Sequence, residues 1–327
     1  MTFRPPRPDP FMAIMLVVLV LATVLPVSGA AAIWFGWLTD AAIAVLFFLH
    51  GAKLSRRAIL EGVGAVRLHV MVFLTTFAVF PVAGLGIAAL LSGAVDPVIL
   101  AGFVFLCIVP STVQSSIAFT SMAGGNVPAA ICSASISNLA GVVVTPALAA
   151  LLLAGRGGAE FDMVGAAQKI ALQILLPFVA GHVCRPLLGG WIDRHKALVG
   201  RVDRTSILLV VYGAFSAAVV EGLWRRVGAL DLVMVVAISS LLLALMLGVT
   251  RLAGRLAGLP REDRIVLVFA GSKKSLASGV PIAGALFPAA VVGPMILPLM
   301  VFHQIQLMVC TVLALRYGRE LSEPAAG

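Results

Sequence analysis

The chain has 327 residues, of which 61% are hydrophobic and 11% charged, and its mean hydropathy is +1.10. Because soluble domains carry about 25% charged residues, this composition excludes an ordinary water-soluble fold. The formal charge of +9 does not indicate a nucleic-acid partner, since the basic residues sit in short clusters between apolar runs. The cysteines have no metal-ligand or CxxC spacing, and we expect small buried hydrophobes at Cys107, Cys132, Cys184 and Cys310.

Apolar runs bounded by charges or by Gly and Pro predict an all-α polytopic protein, with ten transmembrane helices in one membrane domain, residues 1–327. The predicted spans are 11–28, 33–52, 69–92, 97–122, 127–153, 165–188, 205–222, 230–253, 264–287 and 291–315. The first run also resembles a signal peptide, because Arg4 and Arg7 precede it and small residues follow at 28–32. Its length favours a transmembrane helix. Cleavage would also leave nine spans and an unpaired first half.

The basic residues predict the orientation of the spans. Seventeen of the 23 Lys and Arg residues fall on the side that holds both termini and the connections after spans two, six and eight. Arg156, Arg225 and Arg226 fall on the other side, and the remaining three lie within spans. Because cytoplasmic loops are enriched in Lys and Arg, both termini are predicted to be cytoplasmic, in a multi-pass protein of the cell (plasma or inner) membrane.

Ten spans divide into two sets of five, and an odd number of spans gives the two halves opposite orientation in the membrane. The sequence therefore predicts an inverted repeat, with a first repeat over 11–153 and a second over 165–315. Polar, Gly- or Pro-interrupted segments at corresponding positions of two such halves indicate a transporter site. The fourth span is interrupted at 110–116 and the ninth at 271–275.

Lys273 and Lys274 are adjacent within the ninth span. A charge at the bilayer centre costs about 2.5–3.5 kcal/mol on insertion scales, so two lysines there need a reason. Neighbouring residues of a helix point about 100° apart, and both can face one cavity only where the backbone is unwound. We expect one to line a site and the other to neutralise helix C-terminal carbonyls or to reach polar surroundings. A cytoplasmic loop is the alternative, although 264–271 is too short to span alone.

Polar residues at the two interruptions and in the fifth and tenth spans complete the predicted site. The candidate substrate-binding or coupling residues are Ser111, Thr112, Gln114, Ser115, Ser116, Asn138, Ser272, Lys273, Lys274, Ser275, His303 and Gln304. For each hydroxyl, capping of free backbone is an alternative role, and His303, Gln304 and Gln306 could instead form interhelical hydrogen bonds. No metal site, cofactor or catalytic residue is predicted, and no enzyme, because the sequence contains no HExxH, GxSxG or Walker-type motif. Acidic residues are also absent from 98–158 and from 266–318.

The segments Pro110–Ser116, Ala123–Asn126, Val144–Pro146 and Gly271–Pro281 together resemble the bile acid:sodium symporter family, solute carrier family 10, in its SBF-like branch. The resemblance covers nearly the whole chain. It implies ten helices in a 5+5 inverted repeat, in which helices four and nine are broken and cross near the membrane centre. It also implies a core of spans 3–5 and 8–10, a panel of spans 1, 2, 6 and 7, and alternating access between them.

The family resemblance implies transport of organic anions, commonly by sodium symport. Sodium-coupled members carry a glutamate and a glutamine at the ninth-span crossing, where this chain has Gly271, Ser272, Lys273 and Lys274. We therefore expect a secondary transporter of a small organic anion in the lipid bilayer, without a conventional sodium site. Sodium and proton both stay open as coupling ions. The alternatives are a non-transporting membrane regulator on the same fold and a sodium symporter that uses only carbonyl and hydroxyl ligands.

Overall fold

The structure, a computed structural model, describes residues 10–53, 64–153, 168 and 170–322. Across these residues the regular secondary structure is helical, and the β-type pairing is a single bridge between Ser92 and Val95. The helices are α1 (Pro10–Val24), α2 (Ala30–Lys53), α3 (Val66–Leu90), α4 (Pro97–Ile108), α5 (Gln114–Met122), α6 (Val127–Leu153), α7 (Leu176–Arg194), α8 (Lys196–Val220), α9 (Leu223–Arg226), α10 (Ala229–Leu256), α11 (Arg261–Gly271), α12 (Leu276–Leu286) and α13 (Ala289–Ser322). A π-helical turn at Ile170–Leu175 leads into α7, and another at Thr75–Val79 lies inside α3.

Eight stretches are long and apolar enough to cross a bilayer, namely α2, α3, α6, Ala171–Arg194, α8, α10, Arg261–Leu286 and α13. Two shorter apolar helices lie at Ala13–Val24 and Pro97–Ile108. Large apolar side chains such as Trp34, Leu90 and Leu187 are exposed on the outside of the bundle, which suits a surface that faces lipid. The predicted polytopic helical protein is confirmed at this level.

Several helices extend further than the apolar pattern predicts. The seventh span, predicted at 205–222, begins at Lys196, and the sixth, predicted to end at residue 188, continues to Arg194. Only His195 separates α7 from α8. The charged stretch between these spans is therefore helical and not a loop, because Val199 packs inward while the charged positions around it remain outside the core. The two spans predicted to be interrupted, 97–122 and 264–287, each correspond to a pair of shorter helices.

Helix α2 packs along α7, and α1 packs along α8 with Met15 and Ala22 buried. Helix α13 packs against α4, α8 and α10, and α3 packs against α4. The segment Arg261–Leu286 is buried almost throughout, so it forms the centre of the bundle.

Helices α2 and α7 meet through a reciprocal pair of glycines. A methyl group added at Gly51 would collide with the carbonyl oxygen of Phe178, and one added at Gly181 would collide with the carbonyl oxygen of Phe48. Each helix therefore presents a glycine to the backbone of the other. Small residues of this kind allow close helix packing in membranes, where apolar burial alone does not favour association.

Candidate functional site

Helix α4 ends where proline makes further helix unfavourable. Val109, the residue before Pro110, is extended at φ −72° and ψ 155°, as steric contact with the proline ring requires. The next helix, α5, begins at Gln114. Residues 109–113 therefore form a gap between two short helices inside the bundle.

A second gap separates α11 from α12. Helix α11 ends at Gly271, and α12 begins at Leu276 after Ser275, whose hydroxyl accepts a hydrogen bond from Ser278 N at 3.2 Å. A serine at this position satisfies one of the free N–H groups of the first turn. Ser272 bonds back to Val268 O at 2.5 Å and so caps the end of α11.

The two gaps are in direct contact. Ser275 N donates to Pro110 O at 2.8 Å, which joins the start of α12 to the end of α4. From the other side, Ser111 Oγ donates to Ala270 O at 2.5 Å, and Ser116 Oγ donates to Phe269 O at 2.9 Å. The interruptions predicted from sequence thus meet at one crossing, and two of the candidate hydroxyls bond there to backbone.

Several carbonyl oxygens at the first gap accept hydrogen bonds from other segments. Ile108 O accepts from Thr145 Oγ1 at 2.9 Å, and Ser111 O accepts from Asn138 Nδ2 at 2.8 Å. Pro110 O has the bond to Ser275 described above, and Lys274 bonds to Cys107 O and Val109 O. Protein groups thus satisfy these carbonyls of the irregular backbone, as a membrane interior without water demands.

Lys274 is fully buried, and its ammonium group lies among three backbone carbonyls. Its Nζ donates to Cys107 O at 2.7 Å, to Val109 O at 2.8 Å and to Thr76 O at 2.8 Å. It also lies 4.2 Å from the ring centroid of Phe80. All three N–H donors of the ammonium are therefore used, two of them by carbonyls at the C-terminal, negative end of α4. We call this arrangement the carbonyl cage.

The third carbonyl of the cage is free because of a proline. In the π-helical turn, Phe80 N bonds to Thr75 O, five residues back. By the same pairing Thr76 O would bond to the N–H of residue 81, but residue 81 is Pro81, which has none. Lys274 supplies the missing donor. Such π-turns occur frequently at functional sites.

Lys273 is also fully buried but has fewer partners. Its Nζ donates to Ser115 Oγ at 3.3 Å and lies 3.9 Å from the ring centroid of Phe119 and 5.7 Å from that of Phe269. An ammonium over aromatic faces is stabilised by the ring quadrupoles. Because the structure records one hydrogen bond for three donors, this is the less saturated of the two lysines.

Helix α13 holds the backbone of Lys274 through a glutamine. Gln306 Oε1 accepts from Lys274 N at 3.0 Å, and Gln306 Nε2 donates to Lys274 O at 2.9 Å. The same Nε2 lies 2.8 Å from His303 Nδ1. Sequence reasoning selected His303 and Gln304 for the site; His303 lines the main cavity and Gln304 does not, while Gln306 is the residue that bonds to Lys274. Residues three apart on a helix share a face, and that spacing indicates Gln306 as the partner of His303.

Asn138 connects the two halves of the crossing. Its Nδ2 donates to Ser111 O, as described, while its Oδ1 accepts from Ser278 Oγ at 2.7 Å. Helix α6 approaches closely here because Gly141 has no side chain. A methyl group at that position would lie 2.7 Å from the Pro110 ring.

The main cavity has a volume of about 340 Å³ and extends from the crossing to the end of α2. Six predicted residues line it, namely Thr112, Gln114, Ser115, Asn138, Ser275 and His303. The other six, Ser111, Ser116, Ser272, Lys273, Lys274 and Gln304, do not. Both lysines thus lie behind the wall of the cavity, and Ser115 separates Lys273 from it.

Four ionisable residues at the other end of the cavity were missed from sequence. His50, Lys53, Asp203 and Arg204 line this part, and Lys53 forms an ion pair with Asp203 between α2 and α8. Arg204 lies over the ring of Phe11 in α1, at 5.8 Å. Sequence reasoning assigned these positions to span ends and a loop. The sequence signal that could have identified them is that these charged residues lie within one helical turn of apolar positions. In the described ranges no group of three or more His, Cys, Asp and Glu side chains is arranged to hold a metal ion.

A transporter family model matches almost the whole chain, and several proteins are similar to most of it. The SBF-like CPA transporter family matches residues 9–319. The "Uncharacterized protein PA2026" of Pseudomonas aeruginosa is 53% identical over 321 residues, or 98% of this chain and 96% of the relative. The "Putative symporter YfeH" of Escherichia coli is 51% identical over 316 residues, or 96% and 94% of the two chains. The "Sodium/bile acid cotransporter 7" of Danio rerio is 27% identical over 279 residues, or 84% and 82%.

These matches confirm the resemblance drawn from the interrupted segments, and they agree with the prediction that the chain is not an enzyme. Together with the apolar helices they establish a multi-pass protein that works on a small solute in a bilayer. The chain belongs to the SBF-like CPA transporter family.

Proposed function

We propose that the protein is a secondary transporter of a small organic anion, which works by alternating access and without a conventional sodium site. The main cavity supports the first part of this proposal. Its volume of about 340 Å³ lies within the range of small-molecule sites, and its lining combines apolar residues with a few polar groups. Proteins similar to this chain carry symporter and cotransporter names.

The observation that carries the proposal is the carbonyl cage around Lys274. Hard metal cations in proteins are bound by oxygen ligands, often backbone carbonyls. At this crossing three such carbonyls already surround an ammonium group at 2.7–2.8 Å. The lysine thus acts as a built-in cation, and no sodium ion is needed to neutralise the end of α4.

Charge in and near the cavity favours an anionic substrate. Lys53 and Arg204 line the end near α2, where Asp203 is the acidic residue. At the crossing, Lys273 lies one side chain behind the wall and donates to Ser115, which does line the cavity. An anion bound beside Ser115 would therefore feel this positive charge, which is little screened by water because the lysine is fully buried.

The architecture proposed is a ten-span 5+5 inverted repeat with broken, crossing helices four and nine. The two gaps at corresponding positions, residues 109–113 and 272–275, support it. In this architecture α1, α2, α7 and α8 would form the panel, and the remaining spans would form the core. In the predicted orientation, with both termini cytoplasmic, the end of α2 faces the cytoplasm, so the cavity would belong to an inward-facing state.

Uptake into proteoliposomes tests the proposal. Candidate organic anions, bile acids among them, are first selected by the rise in unfolding temperature that a ligand of the folded state causes. Uptake of a selected anion is then measured with sodium, potassium or choline as the external cation, with and without a proton gradient. We expect equal uptake in the three cations.

Two other outcomes would identify the alternative functions. A steep sodium dependence would indicate a symporter whose sodium sites use hydroxyls and carbonyls near Gln114, Ser115, Ser116 and Asn138. Binding of no organic anion and no uptake under any gradient would leave the non-transporting regulator. Acceleration by a proton gradient would assign the proton as coupling ion.

A further inference from the structure

A second cavity lies away from the crossing and is unusually basic. It has a volume of about 200 Å³. Its lining consists of Arg251, Arg255, Arg261, Arg264, Ile265, Val268, Tyr317 and Glu320. These residues come from the end of α10, the start of α11 and the end of α13. We call it the arginine cavity.

Specific contacts hold the arginines around this cavity. Arg251 Nε donates to the Tyr317 hydroxyl at 3.0 Å, and Arg261 Nη2 donates to the Tyr317 carbonyl oxygen at 2.9 Å. The side chain of Arg264 lies against α10 at Gly254, where a methyl group would come within 3.2 Å of Arg264 Cγ. Convergence of these side chains is therefore built into the helix packing.

The positive charge of the arginine cavity is poorly balanced. Its one acidic residue, Glu320, is mostly exposed and lies 3.9 Å from Arg261 Nη2. Of the two acids in the first turn of α11, neither lines the cavity, and Asp263 accepts a hydrogen bond from Asn126 at 2.8 Å. Arg261 Nη1 is buried and has no partner among the described residues. Four cations facing one carboxylate leave hydrogen-bond donors for a ligand.

Membrane orientation alone does not account for this arrangement. The positive-inside tendency requires basic residues near a helix end, where each can extend into water. It does not require four guanidinium groups around one cavity, where like charges repel. A bound anion would remove that repulsion.

We propose that the arginine cavity binds a phosphate-type anion. Planar guanidinium groups bind phosphate oxygens through paired hydrogen bonds. The start of α11 adds the positive end of a helix of 11 residues, whose N-cap Pro260 supplies no side-chain hydrogen bond. The ligand is either a free phosphate compound or the headgroup of an anionic lipid, because basic pockets between membrane helices also bind such headgroups.

Helix α11 connects the arginine cavity, and any anion bound there, to the crossing. Helix α11 runs from Arg261 at the cavity to Gly271, immediately before the two lysines. Phe269 lies between Tyr317 and Lys273. Its ring centroid is 6.2 Å from that of Tyr317 and 5.7 Å from Lys273 Nζ. An anion that fixes the start of α11 would therefore stabilise the position of the crossing.

The test compares one double variant with a charge-matched control. Arg255→Gln/Arg264→Gln removes two cations from the cavity, whereas Arg201→Gln/Arg225→Gln removes two exposed cations that do not line it. In the first experiment, each full-length protein in uncharged detergent is titrated with potassium phosphate or with potassium chloride at matched ionic strength, and its unfolding temperature is recorded. In the second, nanodiscs of phosphatidylcholine with or without phosphatidylglycerol are used, and lipid retained after extraction is counted by native mass spectrometry.

The proposal is supported if the cavity variant differs from both the wild type and the control variant. A phosphate-specific rise in unfolding temperature for the wild type and control, with affinity about tenfold or more weaker in the cavity variant, assigns a free phosphate compound. Retention of phosphatidylglycerol by the wild type and control but not by the cavity variant assigns a lipid headgroup. If the double variant does not fold, Arg255→Gln alone, at an exposed position, is used in its place. Identical behaviour of all proteins in both experiments would overturn the proposal.

Discussion

Replacing Lys274 with alanine removes the ammonium group that three carbonyls share. Each lost charge-assisted hydrogen bond is worth about 1.5–3 kcal/mol, so the three together amount to roughly 4–9 kcal/mol. Relief from burying a charge offsets part of this, but each carbonyl left without a donor costs about 1–3 kcal/mol, so the net effect is destabilising. We therefore expect Lys274→Ala to be folded poorly in choline chloride.

The same variant should gain a dependence on sodium that the wild type lacks. Alanine leaves space beside three carbonyl oxygens, which a sodium ion can enter and coordinate. A ligand at about a hundred times its Kd stabilises the folded state by about 2.7 kcal/mol, which would recover much of the loss. Unfolding temperatures of the purified variant in sodium chloride and in choline chloride at equal ionic strength measure the effect.

Lys274→Met is the matched control, because methionine fills the space of the lysine stem but donates no hydrogen bond. We expect it to be as unstable as the alanine variant and to show no recovery in sodium. Lys273→Ala, which loses one hydrogen bond and the aromatic contacts, should cost less, about 1–3 kcal/mol. Wild-type stability of Lys274→Ala, or equal sodium dependence in the alanine and methionine variants, would refute the carbonyl-cage reasoning.

Three further predictions concern the crossing and the orientation of the chain. Lys273→Ala should abolish binding of an organic anion found by thermal shift, and Lys273→Arg should retain part of it, since a planar guanidinium replaces a compact ammonium poorly; unchanged affinity in both would make this lysine structural. Gly141→Ala should lower the unfolding temperature, because its methyl group meets Pro110 at 2.7 Å, and a wild-type value would show that α6 shifts freely. A single cysteine at His195 should react with an impermeant maleimide only from the cytoplasmic side, and labelling from outside would reverse the proposed topology. Cysteines at Ser55 and Gly157 are predicted to react only from the cytoplasm and only from outside, respectively, and both positions lie outside the described residues.

The positions of the two gaps could be predicted from sequence because their causes are local. Pro110 forces the preceding residue out of the helical region, and a glycine followed by Ser272 ends α11. The position of the lysine pair within a span was also predicted from sequence, because 264–271 is too short to cross the membrane alone. Each of these inferences depends on the local sequence of one segment alone.

The partners of the lysines could not be predicted in this way, because they are carbonyls of distant segments. Thr76 O lies 198 residues from Lys274 in sequence, and its availability depends on the π-turn and on Pro81 together. The contact of Gln306 with Lys274 could not be predicted for a related reason. Composition identified three polar residues in the tenth span, but only the direction of each side chain on α13 decides which one reaches Lys274.

The glycine contact between α2 and α7 has a mechanical consequence. Gly51 and Gly181 bring the two backbones too close for either helix to slide or rotate past the other without collision. In the proposed alternating-access cycle we therefore expect these two helices to move together as one rigid unit. Displacement would then occur at other helix contacts, and a crosslink between α2 and α7 would leave such a cycle running.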